Sequence, residues 1–442
     1  MTDSAAAAAG IPLRLDRPGL KALHLLAAAV CALGFAFDLL EIALGSALSA
    51  VFSSPPHTVP ALQLSMLLAS VYVGAVVGAP LLGWWADRHG RRHVLMAAML
   101  WLALTSVAGA LSDGLWSLTV CRGLAGLALG AFPPLVITYL TELLPARQRG
   151  ALILATVALA TLGPPAGIFL VRGLTLTQWV AEPWRWALGF GGVGAGVVGL
   201  LFLLLPESPR WLHSVGRNAD AERALDRFDS SRPIHGFGAS VVLPVAPVLD
   251  GLAASPRRRW PLVAALFFLS PWSTVAFPLL AGAVFAQKGF KIADSLLFIG
   301  LSAFGPLVGT LLAAFGVDRL DRRLALAACA AAMLLAGVAF VGSDVPAGLI
   351  VAGAVFGMFL SVYVSALNLY GAELFPTRAR ASSLASAWAM NRVGAAVAPL
   401  LLLPLLREQG PPAMFVLIAA ALLAGIGLLF VAPRGQQRRP VV

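Results

Sequence analysis

Charge is what this chain lacks first: Asp, Glu, Lys and Arg make up 12% of its 442 residues against 59% hydrophobic ones, and mean hydropathy is +0.88. Soluble domains carry roughly 25% charged residues, so a water-exposed globular fold is excluded. Cysteine is scarce as well. Cys31, Cys121 and Cys329 lie apart in apolar stretches without paired or metal-type spacing, which excludes a disulfide framework or a Cys-based metal centre and leaves them as small packing residues. No Gly-Lys-Ser/Thr phosphate loop, nucleophile elbow, His cluster or metal spacing is present, so neither an enzyme, nor direct use of ATP, nor any cofactor or metal is expected. The first 21 residues hold no apolar run, and the first long one has no small-residue cleavage site behind it. The N-terminus is therefore expected to stay on the inner side.

What the chain does have is apolar length and a copy of part of itself. Stretches near the roughly 20 apolar residues of a bilayer crossing fall at 22–50, 60–82, 94–111, 115–140, 150–171, 184–205, 260–286, 292–316, 324–342, 346–370, 380–404 and 412–432. Between them, GWWADRHGRR (Gly83–Arg92) returns 231 residues later as AFGVDRLDRR (Ala314–Arg323). At the same offset YLTELLPARQR from Tyr139 meets YGAELFPTRAR from Tyr370. Duplicated six-span halves suit a protein that opens on either side of a membrane around a central site.

The net charge of +11 follows membrane orientation rather than nucleic acid. Basic residues crowd the tails and the loops of one side, including Arg14, Arg17, Lys21, the linker and Arg434, Arg438 and Arg439, while the other side holds Arg172, Arg185, Lys288, Lys291 and Arg407. By the positive-inside rule both termini are cytoplasmic, and no basic module for nucleic acid is present. The reading divides the chain into a tail (1–21), an N-terminal six-helix bundle (22–205), a linker (206–259), a C-terminal six-helix bundle (260–432) and a second tail (433–442). In the linker, the spacing of Ala221, Leu225 and Phe228 predicts a short surface helix, and Arg257, Arg258 and Arg259 a basic anchor at lipid headgroups.

At these motifs the chain resembles the major facilitator superfamily over nearly its whole length. The two copies of the ADRHGRR-type loop resemble the superfamily signature, and CRGLAGLALG, TELLPARQRG, PESPRWL and ELFPTRARA resemble its sugar-porter branch. The first span, GFAFDLLEIALGSALSAVF, is closer to niacin, aromatic-acid and synaptic-vesicle-protein-like members. The resemblance implies an all-α membrane protein of 12 transmembrane helices in two pseudo-symmetric bundles, working by alternating access as a proton-coupled symporter of a small organic solute. It implies an inner-membrane monomer whose partners are the solute, protons and the bilayer. The seventh span, FFLSPWSTVAFPLL, lacks the paired glutamine with which sugar porters grip hydroxyls. An organic or aromatic carboxylate is therefore expected in place of sugar. A proton-driven exporter is the alternative, suggested by Gly163, Pro164, Pro165 and Gly167; a non-transporting receptor or enzyme gives the duplication no purpose.

Ionisable residues inside the spans are functional candidates because lipid penalises them. Asp38, Glu41, Arg122 and Arg392 qualify. A rise of about 1.5 Å per residue puts Arg122 about 11 Å and Asp38 about 18 Å below one surface, close enough to bridge. The resemblance gives that pair the proton-coupling role, with a permanent structural salt bridge as the other reading. Glu41 is a second proton carrier, a like charge beside Asp38, or a hydrated pore-mouth residue. Arg392, beside Asn391, offers a guanidinium fork to a solute carboxylate, or else pairs with Glu41 or snorkels. Gln63, Tyr139, Asn368 and Trp388 are candidate cavity residues, with packing as their other role. The loop charges Asp87, Arg88, Arg91, Glu142, Arg147, Arg149, Asp318, Arg319, Glu373, Arg378 and Arg380 are expected to gate one side through ion pairs and helix dipoles.

Overall fold

The structure is a computed structural model that describes residues 19–145, 148–177, 182–229, 233–234, 256–316, 321–374 and 377–433. Among them, helices long and apolar enough to cross a bilayer are α1 (Ala22–Val51), α2 (Ala61–His89), α3 (Arg91–Ala110), α4 (Leu115–Leu143), α5 (Arg149–Leu176), α6 (Pro183–Leu204), α7 (Arg259–Gln287), α8 (Ile292–Ala313), α9 (Arg322–Gly342) and α10 (Pro346–Gly371), followed by one segment, Ser386–Val431. At about 1.5 Å per residue, that 46-residue segment is far longer than a ~30 Å hydrocarbon core. It breaks at Gly410, whose φ of 87° lies outside any helix interior, and so supplies two crossings, α11 (386–409) and α12 (411–431). Large apolar side chains point outward all round: Leu104, Leu335 and Phe430 are 64%, 71% and 78% exposed. Water would penalise such a surface, and acyl chains do not.

Each bundle repeats the other's packing. A Cβ on Gly74 of α2 would fall 2.0 Å from the Gly123 carbonyl oxygen of α4, and one on Gly78 would fall 2.0 Å from that of Leu127. Only glycine lets these backbones touch. At the same 231-residue offset, a Cβ on Gly305 of α8 would fall 2.1 Å from the Ala354 oxygen of α10, and one on Gly309 would fall 2.0 Å from that of Met358. Tyrosines at the ends of α4 and α10 match too: Tyr139 Oη donates to the Pro206 carbonyl at 2.5 Å and Tyr370 Oη to that of Pro433 at 2.7 Å. Arg92 Nε donates to Phe202 O at 2.9 Å, and Arg323 Nη1 to Ala432 O at 2.8 Å.

The bundles meet along α1 and α7, α5 and α8, and α2 and α11. At the end away from the linker, Ser49 Oγ of α1 donates to Leu279 O of α7 at 2.8 Å, and Arg172 Nε donates to Ala293 O at 3.2 Å. Arg407, at the end of α11, donates to Val59 O at 2.5 Å, Ser53 Oγ at 3.3 Å and Phe52 O at 3.5 Å, clasping the turn after α1. That end of the bundle interface is bonded shut.

The linker holds two short helices, Pro209–Ser214 and Asn218–Asp229. Ala221, Ala224 and Leu225 of the second pack on Trp211 and Leu212 of the first. Phe228 stacks on His24 of α1 with ring centroids 4.6 Å apart, and Leu20–Lys21 pairs antiparallel with Pro233–Ile234. Arg259 Nη1 donates to Leu374 O at 3.1 Å, finishing the end of α10 rather than reaching outward; the side chains of Arg257 and Arg258 lie outside the described residues.

Candidate solute and proton site

Both carboxylates of α1 have 0% exposure. Three residues at about 100° each leave them about 60° apart around the helix axis, and that angle separates their partners. Glu41 turns into its own bundle. Arg122 Nη1 of α4 donates to Glu41 Oε2 at 2.6 Å and Nη2 to Glu41 O at 2.8 Å, and a Cβ on Gly191 of α6 would lie 2.9 Å from Glu41 Oε1. The expected Asp38–Arg122 bridge is not formed. Depth along two helices made it reachable; rotation about α1 gives Arg122 to Glu41.

Neither Asp38 carboxylate oxygen has a hydrogen-bond partner among the described residues. The cation whose charge acts on Asp38 is Arg392 of α11, and Asp38 is the leading charge acting on Arg392. Tyr72 of α2 feels both Arg392 and Arg122. Asp38 and Arg392 thus stand on opposite bundles, whereas Glu41 and Arg122 belong to one. A small cavity beside them is lined by Ile42, Gly45, Leu48, Tyr72, Arg122 and Leu279.

Arg392 lies half-buried over the ring of Trp388, 5.5 Å from its centroid. Trp388 meets Phe267 edge to face at 5.8 Å. Asn391 is buried and committed: its Nδ2 donates to Ser270 Oγ at 2.9 Å and Phe267 O at 3.3 Å, tying α11 to α7. Asn368 is half-buried, with Oδ1 unpartnered. Two cavity candidates are corrected. Gln63 is exposed at the start of α2, and Tyr139, 0% exposed, is spent on Pro206 at the linker end.

The family model for sugar (and other) transporters matches residues 24–433, nearly the whole of this arrangement. The chain belongs to the sugar (and other) transporter family. It is accordingly a multi-pass membrane transporter of the major facilitator superfamily and not an enzyme. The arabinose-proton symporter of Bacillus subtilis is 35% identical over 168 residues, spanning 37% of this chain and 36% of that protein, about a third of its length. The niacin transporter NiaP of Acinetobacter baylyi is 25% identical over 406 residues, 89% of this chain and 90% of that one. The partially occluded, inward-open structure of the E. coli xylose transporter XylE superposes with a TM-score of 0.76 at 19% identity, covering 93% of this chain and 98% of that one. That likeness establishes the fold.

In this transporter the loop charges form a network at the linker end. Arg91 pairs with Asp87 at 3.0 Å and with Glu142 at 3.2 Å, joining α2, α3 and α4. Arg88 lies over Trp84 at 4.0 Å, and Arg149 donates to Leu144 O at 3.2 Å. Arg147, Asp318 and Arg319, and the side chains of Glu373, Arg378 and Arg380, lie outside the described residues. Sequence reasoning missed Glu207 of PESPRWL, which accepts from Arg92 N at 3.0 Å and Ser208 N at 2.9 Å and contacts His93 Nδ1 at 3.0 Å. It caps the N-terminus of α3 where Gly90, with φ 98°, leaves no room for a Cβ. An acid directly after a span was the available signal. Arg407 was also missed, having counted only as an outer-loop charge.

Proposed function

We propose that this chain is a proton-coupled symporter of a small organic solute, an organic or aromatic carboxylate, with Asp38 carrying the proton. The observation that carries the reading is Asp38 itself. Its carboxyl group is fully buried, accepts no hydrogen bond among the described residues, and feels the charge of Arg392 from the other bundle. A carboxylate in such a place is costly when ionised and cheap when protonated, so a proton taken from one side travels in it when the bundles rock. Gating by Asp87, Arg91 and Glu142 and cytoplasmic placement of both termini and the linker in an inner membrane belong to the same proposal; the basic residues of the tails and linker loops support the orientation. The domain limits 22–205 and 260–432 accompany it.

The hydroxyls of α7 support a carboxylate over a sugar. Ser270, Ser273 and Thr274 donate to carbonyls of their own helix at 3.0, 3.1 and 3.0 Å, and Ser270 also accepts from Asn391, so they are occupied. A sugar needs many directed hydrogen bonds; a carboxylate needs one cation, and Arg392 supplies it. The glycine-proline cluster that suggested an exporter has a packing reason. A Cβ on Gly163 would fall 2.1 Å from Ala36 O, and one on Gly394, 231 residues on, 2.2 Å from Phe268 O.

Reconstitution into proteoliposomes tests the function. An inward proton gradient should drive uphill accumulation of a carboxylate such as nicotinate or benzoate, and Asp38→Asn should abolish accumulation while leaving exchange across equal pH. Uphill uptake persisting in Asp38→Asn would remove Asp38 as the proton carrier, and uptake of sugars alone would overturn the solute class.

A further inference from the structure

The symport reading leaves open why two carboxylates and two arginines lie inside the spans. The structure sorts them. Glu41 and Arg122 satisfy each other twice, through the side chain and through the backbone carbonyl, inside one bundle. Asp38 and Arg392 belong to different bundles: Asp38 is fully buried and, among the described residues, neither of its oxygens accepts a hydrogen bond, while Arg392, the cation whose charge acts on it, rests over Trp388. The charges acting on Asp38 are Arg392 of α11 and Glu41 on its own helix; Tyr72 of α2 feels Arg392 and Arg122, and Arg122 is already paired with Glu41. Among the described residues that leaves one carboxylate without a hydrogen bond and one guanidinium held over an aromatic ring.

We propose that Arg392 is a shared cation: it balances the Asp38 carboxylate in the empty carrier and passes to the carboxylate of the solute when Asp38 takes up a proton. The inference rests on the symport reading and adds its coupling rule. Net charge in the low-dielectric centre must stay near zero in every state that crosses between sides, because each uncompensated buried charge costs several kcal/mol. The empty carrier satisfies this with ionised Asp38 and Arg392. The loaded carrier satisfies it with neutral, protonated Asp38 and the solute anion on Arg392. An anion without a proton, or a proton without an anion, leaves an unbalanced charge and blocks reorientation. Proton and anion therefore load together, one of each. Trp388, under the guanidinium, offers its ring to an aromatic body attached to that carboxylate.

The test uses the full chain in lipid nanodiscs, with benzoate as the probe, read by tryptophan fluorescence and by calorimetry at pH about 5.5 and about 8, where benzoate is ionised throughout. The unaltered chain should bind benzoate about tenfold or more tighter at the lower pH, with one proton taken up per anion. Asp38→Asn, which leaves Arg392 without its internal competitor, should bind equally well at both pH values with no proton uptake. Arg392→Gln should not bind at either pH, and Arg392→Lys should recover part of the affinity. Asp38→Asn retaining the pH ratio, Arg392→Gln binding like the unaltered chain, or the unaltered chain binding no benzoate would each overturn the exchange. Proton-driven accumulation of another solute, lost in Asp38→Asn, would still leave the symport reading standing in that case.

Discussion

Two carboxylates one turn apart on α1 respond unequally to substitution because only one of them is bonded. Glu41→Ala strands Arg122 in the bundle with a single backbone carbonyl, and breaking a buried ion pair from one side costs about 3–5 kcal/mol. Asp38→Asn removes no hydrogen bond, and the Arg392 it leaves without a counter-charge is only half-buried and rests on Trp388, so it should cost less than Glu41→Ala. Thermal unfolding of the purified variants in nanodiscs checks this: Glu41→Ala should melt several degrees lower and Asp38→Asn should lose less. Equal loss in both would refute the division of roles. The sequence exposed both acids as charges inside lipid, since composition and span length suffice for that. It did not assign Arg122, because the choice turns on the angle between neighbouring residues around a helix whose rotation is set by packing.

At the scale of helices, the α2–α4 and α8–α10 crossings stand on glycines matched across the repeat. Gly78→Ala and Gly309→Ala each place a methyl 2.0 Å from a backbone oxygen, an overlap that forces the helices apart at a cost of about 1–3 kcal/mol. Both should lower the yield of monodisperse protein and the melting temperature to a similar degree. Gly83→Ala, with nothing within 4 Å of the added carbon, should be silent. Unequal effects of the first two would mean that the bundles are less alike than their backbones. The spacing of Gly126 and Gly130 was readable as a close-packing motif, and both touch α2: a Cβ on either would fall 2.0 and 2.5 Å from the Val71 and Ala75 oxygens. That they meet α2 at Val71 and Ala75 was not readable, since one helix's small residues do not name the helix they meet.

For the molecule as a whole, the bonds between bundles at the end away from the linker are what must break for that end to open. Arg407 makes three of them, to Val59, Ser53 and Phe52. Arg407→Ala should cost the closed arrangement about 1–3 kcal/mol, the worth of hydrogen bonds from a charged group. A cysteine placed at Ser46, on the α1–α7 seam, should then react several-fold faster with a membrane-impermeant thiol reagent applied from that side. Unchanged labelling would show that the clasp does not control opening.

Apolar length, the 231-residue repeat and the ADRHGRR-type loops determined by themselves that this is a membrane transporter of two related bundles, because each is a statement about local composition or order along the chain. Only the tertiary structure decided that Arg122 belongs to Glu41, that Tyr139 is spent on Pro206 and Asn391 on Ser270, and that the cation acting on Asp38 is Arg392 of the other bundle. The physical reason is that partnership depends on rotation and contact between helices far apart in sequence. One buried carboxylate finds one guanidinium only after the helices of both bundles have fixed their azimuths, and no residue spacing along the chain encodes that angle.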